Sequence, residues 1–220
     1  MQGTIKTCTI TVKNGRYYAC LSCEVEAQPL PKTNRHAGVD LGVRQLAATS
    51  DGQVFAAPKY LRNCEAKLKR QQKNVSRKQR GSNRRCKAVM VLARQHEHVA
   101  NQRKDYAHKI SRRLVNMYDL IAFEDLNVQG MARNHHLAKS IADAGWNALI
   151  QFVTYKAESA GRQVVRVDPR HTSQHCSVCN KIVKKTLAER VHHCPHCSTT
   201  LDRDVNAAIN ILRRAKQQVS

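Results

Sequence analysis

Two C-x-x-C pairs, Cys176-Ser177-Val178-Cys179 and Cys194-Pro195-His196-Cys197, stand fourteen residues apart and constrain this chain more than any other feature. Each pair lets a tight turn aim two thiolates at one ion, and two such turns complete a tetrahedral shell. A redox dithiol is the competing reading. It fails because there are two copies and neither sits between a strand and a helix. With sulfur at all four positions the expected zinc site is closed, and therefore structural rather than catalytic. Four thiolates around Zn²⁺ leave a net charge of about −2, and Lys181, Lys184, Lys185 and Arg190 lie between the pairs to offset it. His175, His192, His193 and His196 each neighbour a better-placed cysteine and are expected at the surface. Cys8, Cys20, Cys23, Cys64 and Cys86 fall in strand or helix patterns and are expected as small buried residues.

Reading the cysteines as ligands presupposes a reducing compartment. The start, MQGTIKTCTITVKNGRYY, lacks a basic segment followed by an apolar stretch. No window approaches ~18 consecutive apolar residues, so no membrane span is expected. A cytoplasmic setting in a bacterial or archaeal cell, with the nucleoid, follows as the expectation, and nine cysteines then favour metal ligation over disulfides. The 220 residues are 41% hydrophobic, enough for one core and a small satellite. They carry 38 Lys and Arg against 16 Asp and Glu, a net charge of +22, which calls for a polyanionic partner.

About two-thirds of that charge lies between Lys59 and Arg113, where 18 basic residues face only Glu65, Glu97 and Asp105. The stretch opens after Pro58 as a helix, breaks at Gly81-Ser82-Asn83, and resumes as a second helix over 85–115. Leu61, Cys64 (or Glu65) and Leu68 give the first helix a thin apolar stripe; Val89, Leu92, Val99, Tyr106 and Ile110 serve the second. A solvated helix face is the ordinary fate of a charge run. Here the sign is nearly uniform, and like charges at i,i+4 weaken a helix, so the excess needs a counter-charge. Phosphate is the natural one, with Lys67, Lys69, Arg70, Lys73, Arg77, Lys78, Arg84 and Arg85 as the candidate nucleic-acid contacts.

Elsewhere, 4–12 and 17–26 read as strands joined across Asn14-Gly15. Gln28-Pro29-Leu30-Pro31 breaks the ladder. Strands then follow at 36–43, 45–49 and 53–57, and, after the basic hairpin, at 119–124. A single helix is expected over 137–161, ended by Gly161, then a strand at 163–167, the cysteine segment 171–201, and a last helix from Asp202. The organisation is α/β.

Acids embedded in apolar strand contexts stand out in a chain with so few. Asp40 interrupts GVDLGV, Glu124 ends LIAFE, and Asp202 and Asp204 flank Arg203 at the head of the last helix. Taken singly, each has an ordinary reading: a turn residue near Gly42, a strand end, a helix cap. Together they can converge only if two strands and the last helix pack side by side. Such a cluster would hold hard divalent cations. Two ions about 3.5–4 Å apart activate water and stabilise the leaving oxygen of a phosphodiester. Asp202 suits the cap and Asp204, in the first turn, the ligand. Asn206 can reach a ligand or neighbouring backbone, or serve as a polar surface residue.

The ordered segments GVDLGVRQLAATSDG, IAFEDLNVQGM, DPRHTSQHCSVCN and HHCPHCSTTLDRDVNAAINIL resemble the TnpB (OrfB) family of transposon-encoded proteins, relatives of type V CRISPR effectors. The resemblance covers nearly the whole chain, and Trp146 and Thr172-Ser173-Gln174 also match family positions. It implies an RNase H-like (RuvC) nuclease fold with a zinc ribbon inserted before the last helix, preceded by a β-hairpin remnant of a wedge domain. The expected division is 1–31 hairpin and linker, 32–170 nuclease core with the basic hairpin 59–115, 171–201 zinc ribbon, and 202–220 final helix. The resemblance implies Asp40, Glu124 and Asp204 as catalytic acids binding Mg (or Mn), Cys176, Cys179, Cys194 and Cys197 as Zn ligands, and DNA and a transposon-end guide RNA as partners.

Two departures matter. Gly commonly follows the second cysteine of each family knuckle, whereas this chain has Asn180 and Ser198. Asn tolerates a left-handed backbone, Ser less so, and the second knuckle is expected to hold zinc less tightly. The chain also resembles only the C-terminal half of a full member. The expected function is a Mg-dependent DNA endonuclease domain; the alternatives are a non-cleaving RNA/DNA-binding regulatory module and a junction resolvase acting alone.

Overall fold

The structure, a computed structural model, describes residues 3–131, 133–186 and 189–219. The chain divides into two compact units, 1–28 with 59–105, and 29–58 with 106–220.

In the first unit, β1 (Thr4–Lys13) and β2 (Arg16–Glu24) form the antiparallel hairpin expected at Asn14-Gly15, both turn residues having positive φ. α1 (Tyr60–Ser76) and the start of α2 (Asn83–Met117) form the basic hairpin. The turn of the β-hairpin is tied down: Asn14 donates to Glu97 at 3.0 Å, and Lys13 pairs with the same carboxylate at 3.4 Å. Both strands are open to solvent, so Cys8 and Cys20 are exposed and Cys23 only half-buried; Cys86 is exposed and Cys64 half-buried on the helices. The expectation that these five are small buried residues is thus corrected, because the elements holding them bury only a narrow stripe or none. Leu68, Val75, Ala88 and Val99 are buried, whereas Val89 is 43% exposed.

The second unit is built on a five-stranded mixed sheet in the order β5-β4-β3-β6-β7. β3 (His36–Leu41), β4 (Gln45–Thr49) and β5 (Val54–Ala56) run antiparallel in succession, while β6 (Leu120–Glu124) and β7 (Gln163–Val167) add parallel to β3. Period-two alternation assigns the faces. Ala37, Val39, Leu41, Ile121 and Phe123 enter the main core with Ile110, Leu114, Trp146, Leu149 and Val153. The opposite parity, Gly38, Asp40, Ala122 and Glu124, faces α6 (Arg203–Val219), whose Ile211 and Ala215 pack on Ala122 and Val167. At Gly38 the approach is so close that a Cβ would fall 2.0 Å from the Ala208 carbonyl oxygen. Only glycine lets β3 press against the backbone of α6 there.

The single helix expected over 137–161 is two, α4 (His135–Ala144) and α5 (Trp146–Ser159), with a short α3 (Val128–Met131) ahead of them. Gly145, at φ 66°, takes a left-handed conformation that separates the two helices, although its N–H still donates to Ile141 O and its carbonyl accepts from Leu149 N–H. Two short strands unmarked in the sequence, β8 (Val191–His193) and β9 (Thr200–Asp202), pair around the second cysteine turn.

Candidate metal centre and acid cluster

The four cysteines converge as their spacing predicts. Cys176 and Cys197 sulfurs lie 3.6 Å apart, Cys179 and Cys194 sulfurs 3.5 Å, and all four lie within 4.8 Å of one another. A tetrahedral ion with bonds of about 2.3 Å needs sulfurs roughly 3.8 Å apart, so the donor set fits zinc. The two turns are built alike. Asn180 N–H donates to Cys176 O and Ser198 N–H to Cys194 O, both at 2.9 Å, and Asn180 (φ 60°) and Ser198 (φ 56°) are both left-handed. Hydrogen bonds from the side chain and N–H of Thr199 lower the pKa of the Cys197 thiol, while that of Cys179, opposed by a backbone bond from Lys181, is raised by burial and by hydrogen bonds to the other three cysteines. Of the histidines expected at the surface, His193 and His196 are exposed and His175 is half-buried. His192 is the exception, fully buried against Lys185.

The acid cluster forms on the α6 face of the sheet. The parallel register His36↔Leu120 through Val39↔Phe123, carried one residue further, sets Asp40 beside Glu124 on neighbouring strands of equal parity. Asp204 arrives from the first turn of α6, where Asp202 caps the helix by accepting from Asp204 N–H at 2.8 Å and Val205 N–H at 3.2 Å. Burial raises the Asp40 carboxyl well above the ordinary range, and the charges of Glu124 and Asp204 raise it further, with Arg203 opposing. Burial likewise raises Glu124, against the hydroxyl of Thr172 and the charge of Arg214. Among the described residues the four cysteines alone have donor atoms all within 4.8 Å; the three carboxylates stand further apart. Asp204 is meanwhile engaged by Arg203 Nε at 3.2 Å and by Arg190 at 4.0 Å. Hard oxygen donors, with the charges of Glu124 and Asp204 raising the proton affinity of Asp40, are the chemistry a divalent cation relieves, so the residues present fit Mg²⁺ or Mn²⁺.

Three residues that the sequence reading gave no role at this site hold it together. Thr172, buried, donates its hydroxyl to Glu124. Asn210, also buried, donates to the Thr172 carbonyl at 2.8 Å, and Arg214 to that of Asp168 at 2.6 Å. Asn206, left between ligand, backbone and surface roles, is fully buried and binds backbone: it donates to His175 O and accepts from Ser177 N–H. A buried asparagine spaced four residues from another on one helix face is the signal that could have exposed the last contact.

On α1 and at its C-terminal cap, Lys69, Arg70, Lys73 and Arg77 line a groove of about 500 Å³ with Ala66 and Asn74. Lys67 and Arg84 are exposed and Lys78 half-buried. Arg85 is turned inward, donating to the carbonyls of Val75 at 2.9 Å and Lys78 at 3.4 Å, and so closes the end of α1.

The OrfB_IS605 family, described as a probable transposase, matches residues 20–135, more than half of the chain. The chain belongs to the OrfB (TnpB) family. A second family, the Cas12f1-like TNB domain, matches residues 146–211. Among relatives, a protein of Streptomyces pristinaespiralis named "Putative RNA-guided DNA endonuclease" is 38% identical over 93% of this chain and 52% of its own length. "Putative RNA-guided DNA endonuclease InsQ" of Escherichia coli (strain K12) is 33% identical over 96% of this chain and 56% of its own. A solved Cas12f1–sgRNA–target DNA complex contains a chain of the same fold, with a TM-score of 0.59 at 14% identity, covering 92% of this chain and 55% of that one. This OrfB-family chain therefore spans about half the length of the curated relatives it matches. Among its described residues, no helix is long and apolar enough to cross a membrane.

Proposed function

We propose that this chain is the nuclease-bearing part of a TnpB-type RNA-guided DNA endonuclease that hydrolyses DNA phosphodiesters. The observation that carries the reading is the meeting of Asp40, Glu124 and Asp204, from β3, β6 and α6, on one face of a sheet in a chain of net charge +22. The strand order β5-β4-β3-β6-β7, three antiparallel strands followed by two parallel, supports an RNase H-like (RuvC) core over 32–170 completed by the helix at 202–220. The sulfur geometry supports a zinc ribbon over 171–201, and the exposed strands of 1–31 suit a wedge-domain hairpin.

Asp40 and Glu124 would bind Mg²⁺ (or Mn²⁺), with Asp204 completing the set. When bound, the cation supplies activation of water and stabilisation of the leaving oxygen. Arg203 neutralises Asp204 in the meantime and limits repulsion among the three acids. Lys67, Lys69, Arg70, Lys73, Arg77, Lys78 and Arg84 would grip the backbone of target DNA or of a guide RNA drawn from the transposon end. Arg85 would instead support the turn from which they project.

Asp40→Ala and Glu124→Ala, assayed on labelled single-stranded DNA with Mg²⁺ or Mn²⁺, should each abolish cleavage while salt-sensitive nucleic-acid binding persists. Undiminished cleavage in either variant removes this mechanism. Tight RNA binding by a wild-type chain that cuts nothing would make it a regulatory binding module instead.

A further inference from the structure

We propose that Thr172 is the positioning residue for Glu124, fixed in turn by Asn210 of the helix that carries Asp204. The inference rests on the metal-nuclease reading above and adds a residue that acts through Glu124 without touching substrate or ion.

Glu124 is the last residue of β6, so the ladder fixes its backbone but not its three side-chain torsions. Glu124 is 9% exposed and Thr172 is 3% exposed. The Thr172 hydroxyl has one proton and two acceptors within reach, Glu124 and, at 3.1 Å, the Pro169 carbonyl. A charged acceptor makes the stronger bond, so the proton goes to Glu124. Because threonine is β-branched, its χ1 is stiff and the direction of that bond is set by the backbone of residue 172.

That backbone is anchored from α6. Asn210 Nδ2 donates to Thr172 O at 2.8 Å and to His175 O at 2.7 Å. One turn earlier, Asn206 donates to His175 O at 2.8 Å and accepts from Ser177 N–H at 2.9 Å. The run from Thr172 to Ser177 is thus held along the helix whose first turn presents Asp204, and Cys176 of the first knuckle lies within it. Glu124 on the sheet and Asp204 on the helix are thereby referenced to the same rigid element. Outer groups that orient a ligating carboxylate typically contribute about 10–100-fold to metal affinity or activity.

The test uses the full chain with its zinc, comparing wild type, Thr172→Val, Thr172→Ser and Asp40→Ala. Mn²⁺ affinity is read by electron paramagnetic resonance, alongside zinc content, Tm and the cleavage rate. Thr172→Val should weaken Mn²⁺ binding about 10-fold or more, at unchanged zinc content, and slow the chemical step rather than weaken DNA binding. Thr172→Ser, which keeps the hydroxyl, should restore most of both. Wild-type Mn²⁺ affinity in Thr172→Val overturns the proposal, as does a serine variant as impaired as the valine one, since packing rather than the hydroxyl would then matter. A wild-type chain with no Mn²⁺ site sensitive to Asp40→Ala removes the metal-nuclease reading itself, and the positioning role with it.

Discussion

At the scale of single residues, the candidate site is marked by a carboxylate buried at an electrostatic cost. Asp40 lies on the α6 face of β3, within the field of Glu124 and Asp204, and its proton affinity is raised chiefly by burial. A carboxyl whose affinity for protons rises on folding stabilises the fold below its ordinary titration range. It loses that contribution as pH climbs through the raised value. In magnesium-free buffer, Asp40→Asn should therefore melt at a higher Tm than wild type at neutral pH, by about 2–4 °C for each kcal/mol relieved in a chain of this size. The gap should close as pH falls toward the normal range for aspartate. A gap that is constant between pH 4 and pH 8 would show that the charge on Asp40 costs the fold nothing. Asp40 and Glu124 were legible as candidates because a charged residue interrupts an apolar run in each strand. Thr172 was legible only as part of a motif; that its hydroxyl meets Glu124, 48 residues away, is a property of packing.

At the scale of elements, the paired cysteine turns are the most local features of the chain, and they form as their spacing demands. The departure from glycine at their ends carries a measurable cost. Ser198 occupies a left-handed conformation at φ 56°, and so does Asn180 at φ 60°. Asparagine adopts this backbone more readily than serine. Ser198→Gly should stabilise the zinc-loaded protein by about 1 kcal/mol, read by denaturant unfolding, and slow zinc loss to a chelator; Asn180→Gly should do less. Equal gains from the two would mean that backbone strain does not distinguish the knuckles. The helices show the opposite limit of sequence reading. Apolar residues at helical spacing run through 137–161 with no interruption that periodicity can detect, yet Gly145 divides the segment into α4 and α5. A glycine inside a helical pattern signals a possible break, and tertiary packing decides whether the break is used. The strands β8 and β9 are three residues each, too short for alternation to register.

At the scale of the molecule, charge is partitioned by region. The basic excess is carried largely by α1 and α2, most of which falls in one compact unit, while the three candidate acids lie in the other and barely register in the total of +22. Replacing Lys69, Arg70, Lys73 and Arg77 by glutamine should weaken RNA and DNA binding without sequence preference. It should also flatten the dependence of log K on log salt by about 0.7–0.9 per phosphate contact removed. An unchanged slope would place the nucleic acid elsewhere. What the sequence determined by itself is whatever depends on neighbours along the chain: the hairpin at Asn14-Gly15, the paired cysteine turns, the cap at Asp202 and the face on which each strand residue must lie. Period-two alternation put Asp40 and Glu124 each on a definite side of its own strand. Only the tertiary structure decided that β6 pairs with β3 in the register that sets the two acids side by side, that Gly38 admits α6 to the same face, and that Arg85 turns inward from the basic surface. Those outcomes depend on contacts between residues tens of positions apart, whose energies no local pattern encodes.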